Sequence, residues 1–471
     1  MPAMLSRADA PGARSRGRRS RSRVAVARRA AILVGCAALA LTGCTTTKSA
    51  SGGGGGGASG QPAPGITADE VKIGFIFTDL GKLAEQLGLI ADPPGDIDKQ
   101  IQILTEWVNK NGGMGGRKMV PDLKKFNASS DSPSVEESLC NGFTQDDKVF
   151  AAVLTGQFQD NARPCYQRKR TIAVDATYYP LDEATYEAAS PYLWAPGLVA
   201  YDTYVKPFVS ALSEQKFFEG SQKVGIIAPD TAINKKMVES LAIPAMTAAG
   251  VSSPLTQYID VKSTESLNSG LFQTATKYKD AGVDRVVFFG GQRLAPFFAT
   301  STIALDYFPQ YGLTSYDNPK SILDNQKLAG GNPIKAGAAG LSFMPVSDVT
   351  DAQLPFPDGF NESQCQSIYA QGGLNLKTRT ESTSPFYYCD AVLFIKAALD
   401  KAKVDGAPDA LSPEDFGKAA KSLGEVFQAS RNLGTGFAGN HAGADNYRLL
   451  AYDATCTCFQ LKGENEPFKA G

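Results

Sequence analysis

Short apolar runs alternate with stretches of helical periodicity along most of this chain, and that alternation limits the folds open to it. Val71–Phe77 (VKIGFIF) reads as a strand. The segment 98–109 follows with Ile97, Ile101, Leu104 and Val108 at helical spacing, and Gly112-Gly113 stops it. Ser132-Pro133 opens a second helix with proline in its first turn. Val149–Leu154, a short helix over 162–169 and a strand over 171–174 complete the first series. A second series begins with a helix over 201–214. It continues with the strand Lys223–Ala228, a helix over 234–249, a helix over 264–281 and the strand Arg285–Phe289. Strands separated by helices predict parallel sheets covered on both faces. Two such series predict an α/β protein with two doubly wound lobes. Ligands of such sheets sit beyond the carboxyl ends of the strands, so the loops after strands carry the functional expectation.

The first 43 residues do not belong to that pattern. Nine arginines between Arg7 and Arg29 precede the apolar run Ala30–Leu41, which ends in Leu41-Thr42-Gly43-Cys44. A basic segment, a short apolar segment and small residues at a cut form a secretory signal. The apolar run is too short for a spanning helix. Arg28-Arg29 alone does not separate general secretion from twin-arginine export. Of the chain's 47 basic residues nine lie in 1–43, and of its 48 acidic residues one does. The remaining 428 residues therefore hold 38 basic and 47 acidic side chains, a net charge of −9. An acidic body excludes nucleic acid as the expected partner. That length suits two domains better than one.

Residues 44–67 read as a Gly/Ser-rich flexible tether. Gly52–Gly57 lacks the flanking strand and helix of a phosphate loop. Beyond Cys44 stand six cysteines, Cys140, Cys165, Cys365, Cys389, Cys456 and Cys458, an even number that in an exported chain predicts three disulfides. Cys-x-Cys pairing of Cys456 with Cys458 is tight, so pairing among the last four stays open. The one histidine, His441, lies in a glycine-flanked stretch and reads as a surface-loop residue. With a single histidine, no metal site and no cofactor are expected, and no catalytic motif is present.

Three stretches carry a family resemblance: Trp107–Lys118 (WVNKNGGMGGRK), Val286–Gly291 (VVFFGG) and Ser384–Ala391 (SPFYYCDA). In this order and spacing they resemble the extracytoplasmic solute-binding proteins of ABC transporters, of the leucine/isoleucine/valine-binding type, over roughly 68–462. Leu-Thr-Gly-Cys likewise resembles a bacterial lipobox, which implies acylation of Cys44 and an anchor in the membrane. The resemblance implies two lobes joined by three crossing strands. Lobe 1 would comprise 68–198 and 334–432, and lobe 2 would comprise 199–333 and 433–462. It also implies a Cys140–Cys165 disulfide like one in relatives. Cys365–Cys389 would close a loop of similar length.

Mapped onto the family's ligand loops, the candidates are Gln157 and Phe158 after the 149–154 strand, and Ala176, Thr177 and Tyr178 after the next. On the opposite lobe they are Asp230, Gln292, Tyr316 and Asp317. A Thr177 hydroxyl and backbone N–H groups would hold an anionic oxygen, and Asp317 would pair with a ligand ammonium. Gln157 and Gln159 stand where Ser or Thr is usual, Ile233-Asn234 replaces a Tyr-Gly pair, and Gln292-Arg293 replaces an aromatic pair. These departures suit a more polar or carboxylated ligand. The expected protein is not an enzyme. It is a monomeric, lipid-anchored receptor outside the cytoplasm that passes a small solute, an amino acid, amide or related compound, to ABC permease subunits. A sensory protein on the same fold is the first rival and an exported enzyme the second.

Overall fold

A computed structural model describes residues 61–87, 94–291, 294–329, 331–434, 436–437 and 439–468. Five parallel strands form the first sheet: β1 (Glu70–Asp79), β2 (Lys118–Asn127), β3 (Ala151–Leu154), β4 (Ile172–Asp175) and β5 (Leu193–Trp194), in the order β2-β1-β3-β4-β5. Seven strands form the second: β6 (Val224–Pro229), β7 (Leu255–Ile259), β8 (Arg285–Phe288), β9 (Gln310–Thr314), β10 (Ala338–Ser342), β11 (Asn446–Asp453) and β12 (Cys458–Pro467). Their order is β12-β11-β10-β9-β8-β6-β7, parallel from β10 to β7, with β11 and β12 antiparallel. The two-lobe α/β architecture is therefore present, with strands β3, β4, β6 and β8 buried along nearly their whole length as parallel strands covered on both faces require.

Local signals explain most element ends. The helix Thr264–Ala281 starts at a Ser263–Ser266 capping box and stops at Gly282, whose φ of +72° suits a residue without a Cβ. Ser132 caps Pro133–Asn141 by accepting from the Val135 N–H. The expected helix over 234–249 is interrupted by a π-turn at Val238–Ala242. Pro244 begins the next helical stretch and has no N–H to donate back to Ser240. Helix Arg379–Val404 and helix Pro413–Lys421 pack on the first sheet, where Phe394 and Phe416 join Phe75, Phe150 and Trp194 in one core. β10, within the segment expected to return to the first lobe, instead pairs with β9 and β11, so the chain leaves the second sheet only after Ser342.

Three segments cross between the sheets and hold one another. Ala195 N–H donates to the His441 carbonyl (2.7 Å), and Ala444 N–H to that of Leu198 (2.8 Å). Leu433 N–H donates to Phe343 (3.0 Å). His441 is not on the surface. It is fully buried between Trp194 (ring centroids 4.6 Å apart) and Tyr186 (6.1 Å) because its segment is one of the crossings. Burial and nearby Lys421 push its pKa down to about 4 against the pull of Glu187, so the ring is neutral at pH 7. The disulfides join Cys140–Cys165, Cys365–Cys389 and Cys456–Cys458. No helix among the described residues is long and apolar enough to cross a membrane. Cys44 and the whole 1–43 segment lie outside the described residues.

Candidate functional site

The strand order reverses direction between β1 and β3 in the first sheet and between β6 and β8 in the second, and such points open a crevice at the carboxyl ends. Each reversal brings two loops close through a glycine. A Cβ on Gly156 would lie 2.4 Å from the Thr78 hydroxyl oxygen, and one on Gly290 would lie 2.2 Å from Pro229. The two crevices face each other. Gln159 Nε2 donates to the Val261 carbonyl (3.3 Å), Lys236 pairs with Asp182 (2.7 Å), and the Tyr178 and Ser347 hydroxyls bond directly. A Cβ on Gly291 would come within 2.4 Å of the Tyr178 carbonyl oxygen.

On the first-sheet side one residue absent from the sequence expectations organises the site. Arg163, on the short helix Ala162–Arg168, donates to Asp175 Oδ2 (2.7 Å), the Gln157 carbonyl (2.8 Å) and Thr177 Oγ1 (2.6 Å). It thereby ties the loops after β3 and β4 together, with Tyr179 stacked on its guanidinium at 4.3 Å. The Thr177 N–H and hydroxyl both bond Asp175 Oδ1 (2.9 and 2.6 Å), so neither is free for an anion. Glu136 accepts from the Phe158 N–H (2.7 Å) and the Gln159 N–H (3.1 Å). Burial and Asp131 push its pKa up, to about 9, against Arg163 and the Gln159 N–H. Gln157 Oε1 accepts from the Thr155 N–H, while its buried Nε2 has no partner. Ala176 is buried and bonds back to Leu154, and Phe158 is half-buried.

On the second-sheet side Asp317 is 1% exposed. Its Oδ2 accepts from the Thr314 N–H (2.8 Å) and hydroxyl (3.1 Å), closing a cap on its own turn, and its buried Oδ1 has no partner. Burial pushes its pKa up to about 8 against those bonds, with Asp348 adding to the rise. Asp348, on the turn Pro345–Asp348, accepts from Ser315 Oγ (2.5 Å) and likewise keeps a buried, unpartnered Oδ1. Burial pushes it up to about 7 against the Ser315 hydroxyl. Tyr316 is fully buried and turns away to the hinge, donating to the Val199 carbonyl and packing on Tyr204 and Phe343. Asp230 is exposed and paired with Lys235 (2.5 Å). Gln292 and Arg293 lie outside the described residues.

Between the two sides runs a hydroxyl relay, in which Tyr387 donates to Tyr178 (2.5 Å) and Tyr178 bonds Ser347. Tyr387 and Asp390 fall in the Ser384–Ala391 stretch that carried the family resemblance. Asp348 and Arg431 had no sequence signal, because neither sits in a recognisable motif. Among the described residues no cluster of three or more His, Cys, Asp or Glu is placed to hold a metal ion.

This arrangement, two sheets whose strand ends face each other across three crossing segments, is the fold of the solute-binding proteins of ABC transporters. Solved structures similar to this chain include a solute-binding protein from R. palustris in complex with 4-hydroxybenzoate, at 15% identity and a TM-score of 0.57, covering 85% of this chain and 97% of that one. A branched-chain amino acid ABC transporter protein from Thermus thermophilus with bound valine matches at 15% identity and a TM-score of 0.56, over 85% and 97% of the two chains. A fatty acid ABC transporter substrate-binding protein from Thermomonospora curvata matches at 15% and 0.57, over 87% and 95%. The resemblance to the leucine/isoleucine/valine-binding type therefore holds at the level of fold. No family model and no curated protein matches the sequence.

Proposed function

We propose that this protein is a solute-binding receptor of an ABC importer, capturing a small polar solute between its lobes and delivering it to permease subunits without chemistry of its own. The observation that carries the reading is the opposition of the two strand-order reversals across the hydrogen-bonded crossings, with Tyr178, Gly291 and Ser347 meeting between them. Such a geometry couples ligand binding to hinge motion. Structural neighbours bound to 4-hydroxybenzoate and valine support a small solute, and an amino acid, amide or related compound is our working class. Gln157, Phe158, Tyr178 and Asp317 are the contact residues we retain from the sequence. Ala176 and Thr177 shape their loop, Tyr316 belongs to the hinge, and Asp230 lies on an exposed rim. On this reading lobe 1 comprises 68–198 and the segment from about 350 to about 432, and lobe 2 comprises 199–349, including the turn 345–348 that bonds Ser315, and the chain from 446 onward.

The protein acts as a monomer outside the cytoplasm, held by acylated Cys44 on the 44–67 tether. Recovery of the protein in the membrane fraction, and its release by Cys44→Ser, checks the anchor. The receptor reading is tested by a thermal-shift screen of the purified protein against amino acids, amides, small carboxylates and sugars. A ligand specific for the folded state raises Tm as its concentration exceeds Kd. A hit accompanied by a smaller radius of gyration in solution scattering is expected. Absence of any shift across the panel would overturn the receptor reading.

A further inference from the structure

Arg431 stands where the third crossing begins, and it is 1% exposed. Its neighbours fix it there: Asn432 Nδ2 donates to the Pro196 carbonyl (3.1 Å) and Leu433 N–H to Phe343 (3.0 Å), tying this point to both other crossings. The guanidinium lies against the first crossing at Gly197, where a Cβ would fall 2.3 Å from Nη2. Only a residue without a side chain admits it. Asp390, equally buried, accepts from Arg431 Nε (3.0 Å) and from the Ser430 N–H (2.6 Å). The Tyr387 ring packs on the guanidinium at 4.3 Å, and the Tyr178 ring stands edge-on to Tyr387 at 5.8 Å.

The ion pair uses Nε, the inner edge of the fork. Nη1 is buried and has no hydrogen-bond partner. A buried guanidinium N–H left unpaired is costly, and the chemistry that satisfies it best is an anionic oxygen, since guanidinium and carboxylate geometries match. The unpaired nitrogen belongs to the residue whose aromatic cover, Tyr387, is only half-buried and begins the relay to Tyr178 and Ser347 across the cleft. Behind the half-buried Tyr387 ring, which the Tyr178 ring meets edge-on, there is thus a fixed cation at the pivot of the lobes.

We propose that Arg431 is the specificity-determining residue that reads a carboxylate on the solute, with Asp390 and Tyr387 as its positioning residues. The proposal rests on the receptor reading and narrows it to carboxylate-bearing solutes. Because Arg431 begins the third crossing and lies against the first at Gly197, a carboxylate bound to it would also bear on the hinge, and binding and closure would be linked through one side chain.

The test uses matched probes on the purified protein: 4-hydroxybenzoate against 4-hydroxybenzamide, and L-leucine against L-leucinamide. In the wild type a carboxylate is expected to raise Tm and its amide is not. Arg431→Met leaves Asp390 buried and uncompensated and is at risk of misfolding. The double variant Arg431→Met with Asp390→Asn removes both charges, and circular dichroism checks its fold. It should bind the carboxylate about ten- to a hundredfold more weakly, the loss expected for one hydrogen-bonded charged partner. Equal carboxylate affinity in wild type and folded double variant would overturn the role of Arg431 and leave the receptor reading standing. Preference for the amides would do the same. No binding of any probe or any other solute by the wild type would remove both.

Discussion

The loops that end the first sheet and those that end the second are both buried, but their polar groups are balanced differently. In the loops after β3 and β4, Arg163, Glu136 and Asp175 bind backbone and side-chain groups of both loops, and the unpaired buried atoms include two donors, Gln157 Nε2 and Arg163 Nη1, beside one acceptor, Asn161 Oδ1. Opposite them, the turn after β9 and the turn 345–348 hold two carboxyl groups with no salt bridge, and the unpaired atoms are acceptors, Asp317 Oδ1 and Asp348 Oδ1. The first side is a preformed wall. The second carries buried acids whose charge is compensated only by a proton or by a cationic group from elsewhere.

The sharpest break of that comparison is Arg163→Met. It would strand Asp175, whose side chain is fully buried, and release both ligand loops. Removing one partner of a buried ion pair costs about 3–5 kcal/mol, so urea unfolding should show a loss of that order. A loss below about 1 kcal/mol, within reach of an ordinary surface pair, would show that the wall does not depend on its clamp.

The second side responds to pH in the opposite sense to an ordinary ion-paired acid. Asp317 titrates near 3.8 when unfolded and at about 8 when folded, so the folded state binds the extra proton between those values. Its contribution to stability is complete below about pH 4 and is lost as pH rises through about 8. Asp317→Asn keeps the cap geometry partly intact and removes the titration. Relative to the wild type it should flatten the decline over this range and gain stability at pH 8. One unit of displaced pKa is worth about 1.4 kcal/mol, so half the displacement leaves an effect on the order of 3 kcal/mol. Parallel stability profiles for the two proteins would show that Asp317 is ionised and paired in the folded state.

These two sides were unequally legible in the sequence. The strands, the helices over 201–214 and 264–281, and the loops that bear Gln157, Tyr178 and Asp317 follow from period, caps and position in the alternation. Those signals are local. Arg163 reads locally as one basic residue on a seven-residue helix, and its meaning comes from Asp175 and Thr177, which return to it only when β4 pairs with β3. Asp348 acquires its partner Ser315 from 33 residues away, and Arg431 meets Asp390 from 41 residues away and Gly197 on another crossing, contacts that no local period or cap announces. His441 was misread for the same reason: glycines flank it, yet those glycines belong to a crossing packed under Trp194. Thr177 had the residue type of an anion ligand, but its hydroxyl is spent within its own loop.

Where the sides touch, two adjacent glycines allow the contact itself to be separated from backbone strain. Gly290 (φ +112°) and Gly291 (φ +102°) both adopt backbone angles that disfavour alanine. A Cβ on Gly290 would meet Pro229 within its own lobe, whereas one on Gly291 would meet the Tyr178 carbonyl of the other. Both Gly290→Ala and Gly291→Ala should therefore lose about 1–3 kcal/mol of stability through strain. Only Gly291→Ala should enlarge the radius of gyration and weaken solute binding, because only its methyl group wedges between the two walls. An unchanged radius in Gly291→Ala would mean that the second side accommodates the methyl locally, and that its looser polar balance extends to its backbone. Expansion in Gly290→Ala as well would mean that strain in this loop alone opens the cleft, and that the preformed first wall plays no part in holding it shut.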